Sequence, residues 1–122
     1  MALQFADINV LVTTDVHSWL HAHPHPDHSP LLDADFGDLL SFWRHARAAA
    51  NAQGRDLFLV DNGDVVDGTG LSAATSVNGA AVYPLLSKLP YDALNCGNHE
   101  LYHDETVFQV GCQTPPAADT AA

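Results

Sequence analysis

The chain has 122 residues, of which 47% are hydrophobic and 16% are charged, and its formal net charge at pH 7 is −11. The length allows one domain, and the composition is that of a globular protein rather than a disordered one. Only four residues are Lys or Arg, so the acidic balance argues against nucleic acid or an anionic membrane surface as a partner.

The first predicted element is a strand from Ile8 to Thr13, a short apolar stretch of the kind that is usually buried in a parallel sheet. Asp15 and His17 follow this strand directly. The residues before it, Met1 to Asp7, lack the basic flank of a signal peptide, so the sequence predicts a cytoplasmic protein. No stretch reaches the roughly 18 apolar residues that span a membrane, so no membrane partner is expected.

A stretch rich in histidine and proline comes next and predicts an extended loop, because proline fixes the backbone and lacks an N–H donor. Its histidines either form a second, looser metal-binding tract or lie in a solvent-exposed loop over the site entrance. Composition is a weak signal, so the exposed loop is the preferred interpretation. These histidines are His21, His23, His25 and His28.

The clearest predicted helix runs from about Asp35 to Gln53. Apolar residues between Phe36 and Ala50 recur at intervals of three and four, which gives the helix one apolar face. Asp35 can cap the start of the helix, and Gly54 is a natural stop.

The rest of the chain predicts two more strands with a helix between them. The second strand, Leu57 to Asn62, leads into the motif Gly63 to Asp67. A helix is predicted from about Gly79 to Lys88, and the third strand, Ala93 to Cys96, leads into Gly97-Asn98-His99-Glu100. This alternation of strands and helices predicts an α/β fold with a parallel sheet.

Polar side chains therefore follow each of the three predicted strands. Open α/β sheets bind ligands in the crevice outside the carboxyl ends of their strands. Carboxylate, imidazole and amide groups together suit divalent ions, and a two-ion site suits displacement at phosphorus. Each motif alone could be an acidic turn, but three in order favour a metal site for phosphoester hydrolysis. The side chains are Asp15, His17, Asp64, Asp67, Asn98 and His99.

The three motifs resemble the first three signatures of the calcineurin-like metallophosphoesterases. The residues that flank them are similar to those of the 5′-nucleotidase-like branch found in fungi. The resemblance covers about Ile8 to Val107. It implies the N-terminal βαβαβ half of a truncated calcineurin-like metallophosphoesterase sandwich. Residues 1–110 would be the N-terminal part of that domain and residues 111–122 a disordered tail. The motifs are Asp15-x-His17, Gly63-Asp64-x-x-Asp67 and Gly97-Asn98-His99-Glu100.

The resemblance implies two divalent metal ions, chosen among Mn, Fe, Zn and Mg. Asp15 and His17 would bind the first ion. Asp64 would bridge both ions, and Asn98 would bind the second. A metal-bound hydroxide would then attack a phosphomonoester or nucleotide substrate.

Two further roles follow from the resemblance. His99 would face the substrate and stabilise the phosphoryl oxygens or protonate the leaving group. Asp67 would hold the His99 ring in the useful tautomer. Relatives with a His–Asp dyad have Asp where this chain has Tyr102, so either Asp67 orients the ring alone or the dyad is absent.

The chain also departs from the family pattern at its end. The family completes its site with later histidines, and this chain has none after His103. Two expectations therefore stay open. The chain is either part of a 5′-nucleotidase-like phosphomonoesterase or an inert fragment that binds at most one divalent ion.

Overall fold

The computed structural model describes residues 3–22 and 34–107, so most of the histidine-rich loop and the predicted tail lie outside the described residues. The strands are β1 (Ile8–Thr13), β2 (Asp56–Asp61) and β3 (Ala93–Leu94). The helices are α1 (Phe36–Asn51), α2 (Tyr83–Leu86) and α3 (Asp104–Thr106), and Ser72–Ala74 and Glu100–Tyr102 form 3₁₀ turns. None of the described helices is long and apolar enough to cross a membrane.

The three strands form a parallel sheet in the order β1-β2-β3, with β2 in the centre. β1 has the predicted bounds, and β2 is shifted by one residue. Thr13 at the end of β1 is level with Asp61 at the end of β2, which is level with Leu94 of β3. The carboxyl ends of the strands therefore lie on one edge of the sheet, and the predicted α/β fold is confirmed.

Helix α1 agrees with the prediction in its position and its start. The Asp35 carboxylate accepts a hydrogen bond from the Asp38 N–H (3.0 Å), and the Asp38 carboxylate accepts one from the Asp35 N–H (3.1 Å). The helix ends at Asn51, and Gly54 has a φ of +65° in the turn that leads to β2. Ala50 is fully buried in a cluster with the start of β2, so α1 covers one face of the sheet.

Two elements are shorter than predicted. The helix expected from Gly79 to Lys88 contains only Tyr83–Leu86. Pro84 explains this difference, because proline has no N–H and is tolerated only in the first turn of a helix. The strand expected from Ala93 to Cys96 contains only two residues, because its partner β2 ends opposite it.

The two faces of the sheet differ in what covers them. On one face, Leu57 and Leu59 are 5% and 0% exposed and pack against α1 and the segments that follow β2. On the other face, Ile8, Val10 and Val12 are 67%, 55% and 53% exposed. The expected burial of these strands is therefore correct for one face and wrong for the other among the described residues, because α1 packs on one side only.

Candidate metal centre

The first two motifs lie side by side at the carboxyl-end edge of the sheet. Asp15 donates its backbone N–H to the Gly63 carbonyl (3.0 Å), and His17 donates its backbone N–H to the Asp64 carbonyl (3.0 Å). These hydrogen bonds extend the contact between the two chain segments beyond the ends of β1 and β2. The motifs are therefore held in a fixed register.

The same motifs contain backbone conformations that L-amino acids rarely adopt. φ is +53° at Asp15, +46° at His17, +58° at Asp64 and +61° at Asp67. Ser18, with a φ of +64°, is the one other non-glycine residue with positive φ in the described part of the chain. Such conformations persist where surrounding contacts enforce them, and they cluster at functional sites.

One side chain from each motif meets the others at this edge. A ring nitrogen of His17, a carboxylate oxygen of Asp64 and a ring nitrogen of His99 lie within 4.8 Å of one another. The two histidine rings are edge to face, with centroids 4.6 Å apart. Imidazole nitrogen and carboxylate oxygen are ligands that suit Zn, Mn and Fe. The three side chains therefore fit a divalent transition metal ion.

Backbone carbonyls fix the tautomer of the His17 ring. Its Nδ1 lies 3.0 Å from the Val66 carbonyl oxygen and 3.1 Å from the Asp67 carbonyl oxygen. Because a carbonyl oxygen only accepts hydrogen bonds, Nδ1 must carry the proton. The Nε2 lone pair is then available to a metal ion, which is the usual arrangement of a histidine ligand.

A carboxylate holds the His99 ring. Its Nδ1 lies 2.9 Å from Asp67 Oδ2, and this hydrogen bond raises the pKa of His99 above its ordinary value. Desolvation opposes the ionisation of Asp67, but hydrogen bonds from His99 and Asn78 outweigh it and lower the pKa of Asp67. The pair keeps the proton on Nδ1 and leaves Nε2 of His99 for a ligand or substrate.

The two other predicted ligands lie at the same edge but outside the three-residue set. Asp15 is exposed, and its carboxylate accepts a hydrogen bond from the Thr14 hydroxyl (2.6 Å). Asn98 is also exposed, and its side-chain amide donates to the Tyr102 hydroxyl (2.8 Å). The structure thus brings together four of the six predicted site residues, His17, Asp64, Asp67 and His99.

Two supporting residues were not identified from the sequence. Asn78 donates its side-chain amide to Asp67 Oδ1, and no sequence signal links these two residues. Glu100 lies in the first turn of the 3₁₀ segment that begins at the end of the third motif. It is 1% exposed and accepts hydrogen bonds from the backbone of the second motif. Its place beside His99 in the third motif was the available signal.

Known proteins resemble this chain in sequence over most of its length. The family model of the calcineurin-like phosphoesterases matches residues 8–119. An Arthroderma benhamiae protein described as secreted is 42% identical over 107 residues, which cover 88% of this chain and 16% of that protein. An uncharacterized Schizosaccharomyces pombe protein is 41% identical over 100 residues, which cover 82% of this chain and 16% of that protein.

A solved structure also matches the fold. The crystal structure of 5′-nucleotidase from Candida albicans is 44% identical with a TM-score of 0.79, and the match covers 89% of this chain and 20% of that chain. This chain therefore spans only 16% to 20% of the length of these relatives. Its sheet and helices match the N-terminal half of the calcineurin-like fold. With its three motifs on one sheet edge, this chain belongs to the calcineurin-like phosphoesterase family.

Proposed function

We propose that this chain carries part of the active site of a metal-dependent phosphomonoesterase that acts on 5′-nucleotides or similar monoesters. The strongest support is the meeting of His17, Asp64 and His99, one from each motif, at the carboxyl-end edge of the sheet. Family membership supports the reaction class, and the similar 5′-nucleotidase structure supports the substrate class.

Two divalent ions would bind at this edge. Asp15 and His17 would hold the first, Asp64 would bridge both, and Asn98 would hold the second. His17 would use Nε2, since its Nδ1 is bonded to backbone carbonyls. Bound ions of this kind supply positive charge to phosphate oxygens and lower the pKa of a water molecule toward about 7.

His99 would act on the substrate directly. Its hydrogen bond to Asp67 fixes the ring, and its raised pKa suits a group that donates a proton to the leaving oxygen. The net charge of −11 repels a phosphate ester, so cations at the site would also be needed to attract the substrate.

A second candidate function is the binding of one divalent ion without catalysis. It is favoured because a single group of three His, Cys, Asp or Glu side chains lies within ligand reach among residues 3–22 and 34–107. The two candidates differ in the number of ions bound and in hydrolysis.

The test is to load the purified chain with Mn²⁺ or Zn²⁺, desalt it, count the bound ions by mass spectrometry and assay AMP hydrolysis. Two ions with hydrolysis that Asp64→Asn abolishes would support the phosphomonoesterase. One ion without hydrolysis would support the second candidate. A chain that retains no ion would overturn both.

A further inference from the structure

Glu100 is a buried carboxylate whose hydrogen bonds go to the backbone of the second and third motifs. The residue is 1% exposed. Its Oε1 accepts from the N–H groups of Val65 (2.7 Å) and Val66 (3.1 Å). Its Oε2 accepts from the N–H groups of Asp64 (2.8 Å) and Gly97 (2.7 Å). Four backbone donors therefore converge on one side chain.

Three of these donors belong to the turn that presents the candidate metal ligand. This turn contains positive φ values at Asp64 and Asp67, which cost energy and need contacts to maintain them. Hydrogen bonds to an ionised carboxylate are roughly twice as strong as neutral ones, so Glu100 supplies such contacts. The main-chain path from Asp64 to Asp67 is thus set by a residue 36 positions away from Asp64.

A reciprocal hydrogen bond joins the same two motifs. Asp64 Oδ1 accepts from the His99 N–H (2.9 Å), so each motif binds the backbone of the other through a carboxylate. The two backbone segments also pack in direct contact, since a Cβ atom on Gly63 would lie 2.2 Å from the Gly97 nitrogen. A small rotation of either motif would therefore move both Asp64 and His99.

We propose that Glu100 is a positioning residue of the metal centre. It fixes the strained turn that carries Asp64 and Asp67 relative to the motif that carries Asn98 and His99. This role rests on the proposed function, because it concerns the geometry of the same metal site. Glu100 itself is not a ligand, since both of its oxygens are engaged by backbone N–H groups.

The decisive variant is Glu100→Gln, which is nearly the same size but presents one oxygen and one NH₂ group. Each oxygen of Glu100 accepts two N–H groups, so either orientation of the amide sets its NH₂ against two backbone donors. Glu105→Gln is the matched control, because Glu105 is exposed and is the other glutamate of the chain. The probe is Co²⁺, whose visible spectrum reports both affinity and coordination.

We expect Glu100→Gln to lower the affinity for Co²⁺ by about 10- to 100-fold and to change its visible spectrum, as the loss of a residue that orients ligands does. In the metal-free chain, amide hydrogen exchange should become faster at residues 64, 65, 66 and 97 but not within β2. Glu105→Gln should match the wild type in both measurements. Wild-type affinity and wild-type exchange in Glu100→Gln would overturn the positioning role.

Two other outcomes are also decisive. If the wild-type chain binds no Co²⁺, the proposed function fails, and the exchange rates at the four amides still decide whether Glu100 holds the turn. If Glu100→Gln does not fold, Glu100→Asp keeps the charge on a shorter side chain and should fold with weakened Co²⁺ binding. A folded Glu100→Asp with wild-type binding and exchange would overturn the role. Failure of both variants to fold would overturn it too, because Glu100 would then support the whole domain rather than the site.

Discussion

The two faces of the parallel sheet have similar side chains but different surroundings. On the covered face, Leu59 is completely buried in a cluster that also contains Val65 from the second motif. On the open face, Val10 is 55% exposed and lies opposite Phe58, which is 38% exposed. The candidate metal centre is connected to the covered face, because Val65 joins the core while its neighbour Asp64 is a candidate ligand.

This difference shows what a strand sequence specifies. The apolar, β-branched residues of β1 determine that a strand forms, but not which of its faces another element covers. Parallel sheets usually have both faces covered. An exposed apolar surface of this kind often marks a site where another protein segment or another chain packs. The covered face should therefore dominate the stability of the chain, and the site should depend on that face.

The largest expected difference is in the free energy of unfolding, when one side chain on each face is truncated. Leu59→Ala should lower the free energy of unfolding by about 2–5 kcal/mol, because it leaves a cavity in the core. Val10→Ala should lower it by less than about 1 kcal/mol, because the side chain is already half in water. Both values follow from urea denaturation monitored by circular dichroism.

The same denaturation measurement tests whether the open face is uncovered in solution. Similar losses for the two variants would mean that the open face is covered in solution by another copy of the chain. Repeating the denaturation at several protein concentrations distinguishes an associated chain from a monomeric one, since only an associated chain has a midpoint that depends on concentration.

Metal affinity should depend strongly on the candidate ligand Asp64 and only weakly on the candidate catalytic residue His99. Both residues lie at the end of the covered face. Asp64→Asn keeps an oxygen that can accept from the His99 N–H but removes the charge. We expect it to lower Mn²⁺ affinity by more than about 100-fold, and His99→Ala to lower it by less than about tenfold. Isothermal titration calorimetry measures both affinities.

Asp56→Asn is the matched control for this titration, because Asp56 is exposed at the opposite end of β2 and loses the same charge. It should bind Mn²⁺ as the wild type does. Equal losses for Asp64→Asn and His99→Ala would contradict the assigned roles. His99 would then be a metal ligand, as its distance from His17 and Asp64 also allows.

The sequence predicted the covered part of the fold well. The bounds of β1 and the cap of α1 were correct because local patterns determine them, namely strand composition and the capping carboxylate of Asp35. The second helix was overpredicted because its apolar spacing did not show that Pro84 would restrict it to one short turn. The exposure of Val10 was not predictable, because it depends on what lies beside the sheet.

That side chains from the three motifs come together was predictable from the sequence, but the contacts that support them were not. Strand ends and motif spacing indicated that His17, Asp64 and His99 would meet. The contacts of Asn78 and Glu100 cross 11 and 36 residues of sequence, and neither follows from a helix or strand period. Such contacts can be identified only when the three-dimensional course of the turns between the strands is known.

The smallest expected effect concerns a buried carboxyl group on the covered face. Asp61 is 0% exposed, and its oxygens accept hydrogen bonds from the Thr13 hydroxyl (2.5 Å) and the Gly63 N–H (2.9 Å). Burial raises the pKa of Asp61 above its ordinary value, although both hydrogen bonds act in the opposite direction. The folded chain therefore holds the Asp61 proton more tightly than the unfolded chain does.

The sign of the pH effect follows from this difference. The stabilisation linked to the Asp61 proton is fully present below the unfolded pKa of about 3.9 and is lost as pH rises through the higher folded pKa. Asp61→Asn has no such titration. The stability of the wild type relative to this variant should therefore fall as pH rises from about 4 through the folded pKa of Asp61, measured as urea midpoints of metal-free protein. A difference in stability that stays constant with pH would mean that water reaches the end of the covered face and that the core does not extend to the site.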